Sequence, residues 1–153
     1  MRLDSLAGIW SGTNEFRLMP VDPFVGSTAM GTLQVTAGGA LAALTYAWSH
    51  PEDGHQDGLL VVWPGADEGH VAGVWADSWH QRSQPMALRG TTELDGTLAL
   101  SGTYAEEWGW VILVRGGEDG LEVRMDNVVP ASYASDEGPA GPYPVMRMLL
   151  QRA

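Results

Sequence analysis

The chain has 153 residues, no cysteine and a formal net charge of −11 at pH 7. That length suits one domain, 1–153, with a substantial core. Lack of thiols excludes disulfides, thiolate catalysis and cysteine-held metals, and the negative charge opposes nucleic-acid backbones and anionic membrane surfaces. All 8 cationic side chains are arginines, and 20 glycines and 9 prolines imply many turns. No apolar run is long enough for a signal peptide or a membrane helix, so the expected location is cytoplasmic.

In chain order, Leu6–Arg17 alternates, with Leu6, Gly8, Trp10, Gly12, Asn14 and Phe16 on one face of a strand. Leu18–Ala29 carries Pro20, Asp22, Pro23 and Gly26 and reads as a loop. Its Met19, Val21 and Phe24 either form a lid or pack on a rim. Met30–Ala37 and Leu41–His50 read as a hairpin about Gly38-Gly39. Pro51–Gly58 reads as an exposed polar turn before a short strand, Leu59–Trp63. In Val71–His80, read as a strand, Val71, Gly73, Trp75, Asp77 and Trp79 share one face, which sets a carboxylate between two indoles. Arg82–Pro85 reads as loop. Met86–Leu94 and Thr97–Ala105 flank Asp95-Gly96, another hairpin signal. Trp108–Arg115, Leu121–Val129 and Tyr143–Arg152 follow, the last after an Ala/Ser/Gly/Pro-rich loop, Pro130–Pro142. About ten short strands joined by tight turns, with no helical periodicity, predict an all-β closed antiparallel up-and-down barrel. Such a barrel can hold one small ligand.

LAGIWSG (Leu6–Gly12) resembles the first strand of the calycin superfamily, which includes lipocalins, fatty-acid-binding proteins and nitrobindin-like haem proteins. VDPFVGSTAMG (Val21–Gly31), VWADSW (Val74–Trp79) and LDGTLALSG (Leu94–Gly102) are similar to stretches of bacterial calycin-like proteins of unknown function. The resemblance implies a barrel with an interior pocket and carries no activity. It implies that Gly8 and Trp10 are structural, with Arg147 or Arg152 packed over Trp10 as a cation–π contact. Arg124 and Arg147 stand where the fatty-acid-binding branch holds a carboxylate. The C-terminal haem-binding histidine of the nitrobindin-like branch has no counterpart, since no histidine follows His80; no cofactor is expected.

Trp48, Trp75, Trp79, Trp108 and Trp110, with Asp77 and Tyr104, are the expected ligand-binding residues; Trp63 and Tyr46 are further candidates. Asp77 is either a pocket carboxylate of raised pKa or a carboxylate bonded to backbone amides at a strand end. His80 falls on the opposite face of an ideal strand and is placed at the rim. His50, His55 and His70 lie in or beside acidic turns, but nothing in their spacing forces convergence, so no metal site is expected. The leading reading is a protein that binds a small apolar or amphipathic molecule, without catalysis. The alternatives are a barrel isomerase or hydrolase using Asp77 with His80 or Tyr104, and a homodimeric interaction module.

Overall fold

A computed structural model describes residues 3–117 and 120–153, those at 81–83 by backbone alone. Ten strands run β1 Gly8–Phe16, β2 Val25–Thr36, β3 Leu41–His50, β4 Gly54–Pro64, β5 His70–Asp77, β6 Gln81–Thr92, β7 Leu98–Tyr104, β8 Trp108–Gly116, β9 Leu121–Val129 and β10 Gly141–Arg152. Each is hydrogen-bonded to its neighbours in sequence, and β10 closes on β1. The expected all-β, closed, antiparallel up-and-down barrel is the architecture found. Closure leaves no unpaired sheet edge, which is how this fold avoids edge-to-edge association.

Alternation along the strands fills the interior. Leu44, Tyr46 and Trp48 of β3, Trp110, Ile112 and Val114 of β8, and Met146, Met148 and Leu150 of β10 are buried there. Arg124 and Arg147 fall on the intervening positions and face outward, where Arg124 pairs with Asp126 and Arg147 with Glu122. Neither reaches the interior, so the carboxylate-holding role suggested by resemblance has no basis in their placement. Trp63, also on an outward position of β4, is partly exposed at the far end from the site described below.

Four boundaries differ from the sequence expectation. Arg82–Pro85, expected as loop, lies within β6, which runs on from Gln81 to Thr92 as the partner of β5. The exposed turn expected over Pro51–Gly58 is confined to 51–53, because Gly54, at φ +75°, reverses the chain early. Its polar residues belong to β4, with His55 and Asp57 outward and Gln56 buried. Val25–Ala29, expected as loop, pairs with β1. Conversely β5 stops at Asp77, with a register irregularity after Trp75, and residues 78–80 are a turn rather than strand. This last difference creates the site.

At the end of the barrel where β1 begins, Trp10 is fully buried and donates its indole N–H to Leu6 O at 3.0 Å. The guanidinium of Arg152 lies 4.7 Å from the centre of the Trp10 ring. Arg152, not Arg147, therefore supplies the cation, because β10 turns even-numbered residues inward and Arg152 pairs opposite Trp10. Gly8 permits the contact: its φ is +151°, and a Cβ there would lie 2.6 Å from Arg152 Nη1. Gly8→Ala should lower unfolding free energy in urea by about 1–3 kcal/mol, the usual cost of such a backbone conformation for a residue with a side chain, and Arg152→Ala by about 1 kcal/mol through the cation–π contact.

Candidate ligand-binding site

The site lies at the opposite end and begins with the register of β3, β4 and β5. Tyr46, Gly58 and Asp77 stand side by side across these strands. A Cβ on Gly58 would lie 2.2 Å from Tyr46 Cζ. The glycine thus lets the phenol ring cross the middle strand and donate its hydroxyl hydrogen to Asp77 Oδ2 at 2.8 Å. The same hydroxyl oxygen accepts the indole N–H of Trp75 at 2.8 Å. The other carboxylate oxygen, Oδ1, accepts the backbone N–H groups of Trp79 and His80, both at 2.7 Å. Those two bonds form the local side-chain-to-backbone turn at which aspartate excels. They reverse the chain within three residues and fold the His80 ring back, so that Nδ1 meets Asp77 Oδ1 at 3.1 Å.

Burial alone would raise the Asp77 carboxyl pKa, but the His80 ring bond, the nearby His80 charge, the His80 amide and the Tyr46 hydroxyl outweigh it, leaving it below its ordinary value. The Tyr46 hydroxyl moves the other way, well above 10, through burial first and then the Asp77 charge. Asp77 is therefore an ionised acceptor with no hydrogen to give. In the neutral imidazole, Nδ1 must then carry the hydrogen of the His80–Asp77 bond, which leaves a lone pair on Nε2. The His80 side chain is 8% exposed and Nε2 has no hydrogen-bond partner among the described residues.

His80 borders a cavity of about 400 Å³. Its walls are Trp75, Trp79 and Trp110, with Met86 and Val145; Tyr104 and Asn127 add polar atoms, and Arg17, Leu18 and Asp53 lie along it. The rings of Trp75 and Trp110 stack with centroids 5.0 Å apart and planes 15° apart. His80 lies 5.3 Å from Trp110 and meets Trp79 edge-on at 4.6 Å. Trp79 is held from outside by its N–H bond to Asp53 at 2.9 Å and by the stacked ring of His50 at 5.1 Å. Tyr104 donates to Asn127 Oδ1 at 2.6 Å, Asn127 donates to the Tyr143 hydroxyl at 3.0 Å, and Tyr143 donates to Leu18 O at 2.8 Å. This chain of bonds ties the β1–β2 connection to the far wall. Arg17 reinforces it, with Nη1 on Pro20 O at 2.7 Å and its guanidinium 4.5 Å from the Phe24 ring centre.

Larger depressions carry less chemistry. One of about 680 Å³ lies over β1, β10, β9 and β8 and has no aromatic wall. Besides His80 Nε2, the buried side-chain atoms without a partner among the described residues are Trp110 Nε1, Trp48 Nε1 and both polar atoms of Asn14. All belong to the half of the barrel that holds the cavity.

Of the residues expected to bind ligand, Trp75, Trp79, Tyr104 and Trp110 line this cavity. Trp48 is buried behind it, its ring 5.6 Å from that of Trp79 and 4.7 Å from that of Phe16. Trp108 lies at the rim, where it packs on Tyr133 of the β9–β10 loop at 5.6 Å. Asp77 acts one step back from the cavity, through His80. Its carboxyl is acidified, not raised, and it is bonded to backbone amides as well as to side chains. The rim placement of His80 is corrected: an ideal strand would have turned it away from Asp77, but the strand has ended. His50 and His70 occupy opposite ends of the barrel, and among the described residues no three His, Asp or Glu side chains are placed to hold a metal ion. Sequence reasoning missed Met86, Asn127, Val145 and the part played by Gly58. The alternation of β9 could have signalled Asn127, since it shares a face with Val123 and Met125. Comparison of the chain with protein-family models and with curated proteins found no match. The closed antiparallel barrel of ten strands is consistent with a calycin-like fold.

Because the Asp77 pKa is lowered on folding, its contribution to stability is complete above its unfolded value, near 3.8, and is lost as pH falls through the folded value. Asp77→Asn should cost about 1.5–3 kcal/mol at pH 7, the range for hydrogen bonds to a charged group. Urea unfolding at pH 7 and at pH 3 should show a smaller acid-induced loss in the variant than in the wild type.

Proposed function

We propose that this protein binds a small, planar, mostly apolar molecule in the aromatic end of a calycin-like barrel. The observation that carries the reading is the cavity of about 400 Å³ walled by three indoles, two of them stacked on each other. Binding sites for small molecules usually span 300–1,000 Å³, with apolar walls and few convergent polar groups. Here the polar groups are His80, Tyr104 and Asn127. The Asp77–His80 contact supports a second reading, an enzyme with His80 as general base. Among the described residues no serine or threonine borders the cavity to serve as its nucleophile, so in this second reading His80 acts on the ligand itself or on a water.

Titration of intrinsic tryptophan fluorescence with naphthalene, hexadecanoate and a flavonoid separates ligand classes. Naphthalene should give a saturable change, and Trp79→Ala should weaken it about tenfold, as expected for losing one aromatic wall contact of about 1.4 kcal/mol. Absence of a saturable response to any of the three would contradict the reading.

A further inference from the structure

Among the described residues, four side-chain nitrogens in the cavity half of the barrel are buried without partners, and two of them belong to residues that line the cavity: His80 Nε2 and Trp110 Nε1. They are chemically complementary. In the neutral His80 ring, the ionised Asp77 carboxylate on Nδ1 leaves Nε2 an acceptor. An indole N–H can only donate. Buried polar groups are ordinarily hydrogen-bonded, and each one left without a partner costs about 1–3 kcal/mol. A single hydroxyl satisfies both nitrogens if it gives its hydrogen to Nε2 and accepts that of Nε1. The rings that carry them are 5.3 Å apart, and the stacked Trp75–Trp110 pair offers a flat surface beside them.

We propose that the ligand is a planar aromatic alcohol of the phenol type, its hydroxyl donating to His80 Nε2 and accepting from Trp110 Nε1, its ring lying among Trp75, Trp79 and Trp110. This rests on the reading of the cavity as a ligand site and names the chemical class it takes. Asp77 is a positioning residue: it fixes the His80 tautomer and ring orientation through the 3.1 Å contact and does not touch the ligand. The Nε2 atom is shielded, so the hydroxyl must reach it past a moving side chain. Trp79 is the side chain that must yield, because it alone of the three indoles sits on a turn and not on a strand; its bond to Asp53 and its stack on His50 are the contacts this movement breaks. Changes of this kind, confined to a rotamer, are common on binding.

The test compares 2-naphthol with 2-methoxynaphthalene and naphthalene, by fluorescence titration of the wild type and of His80→Phe. The three probes share one ring system, and only the naphthol can donate. In the wild type, 2-naphthol should bind at least tenfold more tightly than 2-methoxynaphthalene, and in His80→Phe the ratio of these two affinities should fall to about one. Equal affinity of the naphthol and its methyl ether in the wild type, or a preference that survives in His80→Phe, would overturn the proposal and leave the aromatic cavity standing. Failure of all three probes to bind would remove the cavity reading and this inference with it. Should His80→Phe not fold, or bind neither of these two probes, a crystal structure of the wild type with 2-naphthol decides. The hydroxyl oxygen within hydrogen-bonding distance of His80 Nε2 supports the assignment; the hydroxyl directed to Asn127 or to solvent overturns it.

Discussion

One buried carboxylate sets the geometry of the open end of this barrel. Asp77 accepts from the Tyr46 hydroxyl, from two successive backbone amides and from the His80 ring, and through Tyr46 it is joined to the Trp75 indole. An ionised carboxylate without partners would be far too costly in this setting. Its four donors make it stable and also make it directive. The two amides end β5 and turn the chain. The ring bond aims an imidazole into the barrel. The hydroxyl fixes the edge of one of the stacked indoles. Removing any of these partners disturbs the others, because they share one acceptor.

The two ends of the barrel use their polar atoms differently. Around Trp10, the indole N–H and the Arg152 guanidinium are satisfied by backbone carbonyls of the segment that caps that end. In the half that holds His80, and among the described residues, buried nitrogens on His80, Trp48 and Trp110 lack partners, and so do both polar atoms of Asn14. A fold stabilised only for its own sake would hydrogen-bond those atoms or replace them by apolar ones. Their concentration beside the cavity is the physical reason for reading that end as the one that recognises something else. The bonds from Tyr104 through Asn127 and Tyr143 to the β1–β2 connection hold the mouth in shape and leave the interior nitrogens uncommitted.

The barrel was legible because alternation and glycine-containing turns are local signals that repeat along the chain. Trp75 and Trp110 were legible for the same reason, since alternation puts them on inward faces; Trp79 lines the cavity although it stands past the end of β5, where alternation no longer holds. His80 was not, because the period-2 rule holds only while the strand continues, and Asp77 itself terminates the strand by capturing the next two amides. The role of Gly58 was also hidden. It depends on the cross-strand register that brings Tyr46 and Asp77 to either side of it, and register is a tertiary fact. Arg147 and Arg152 both stood as candidates over Trp10; their odd spacing puts them on opposite faces of β10, and the one on the inward parity is Arg152. The polar run at Pro51–Gly58 misled because its second half belongs to β4, where His55 and Asp57 decorate the outer face.

The claim on which the rest depends is that Asp77 fixes His80 with its hydrogen on Nδ1 and a bare lone pair on Nε2. Long-range proton–nitrogen NMR correlation of the four histidines in the ligand-free wild type, assigned by a His80 variant, measures this directly. The account predicts the Nδ1–H tautomer for His80 in its neutral form. Finding the hydrogen on Nε2 would contradict it, since the ring would then offer the cavity a donor and the bond to Asp77 could not form.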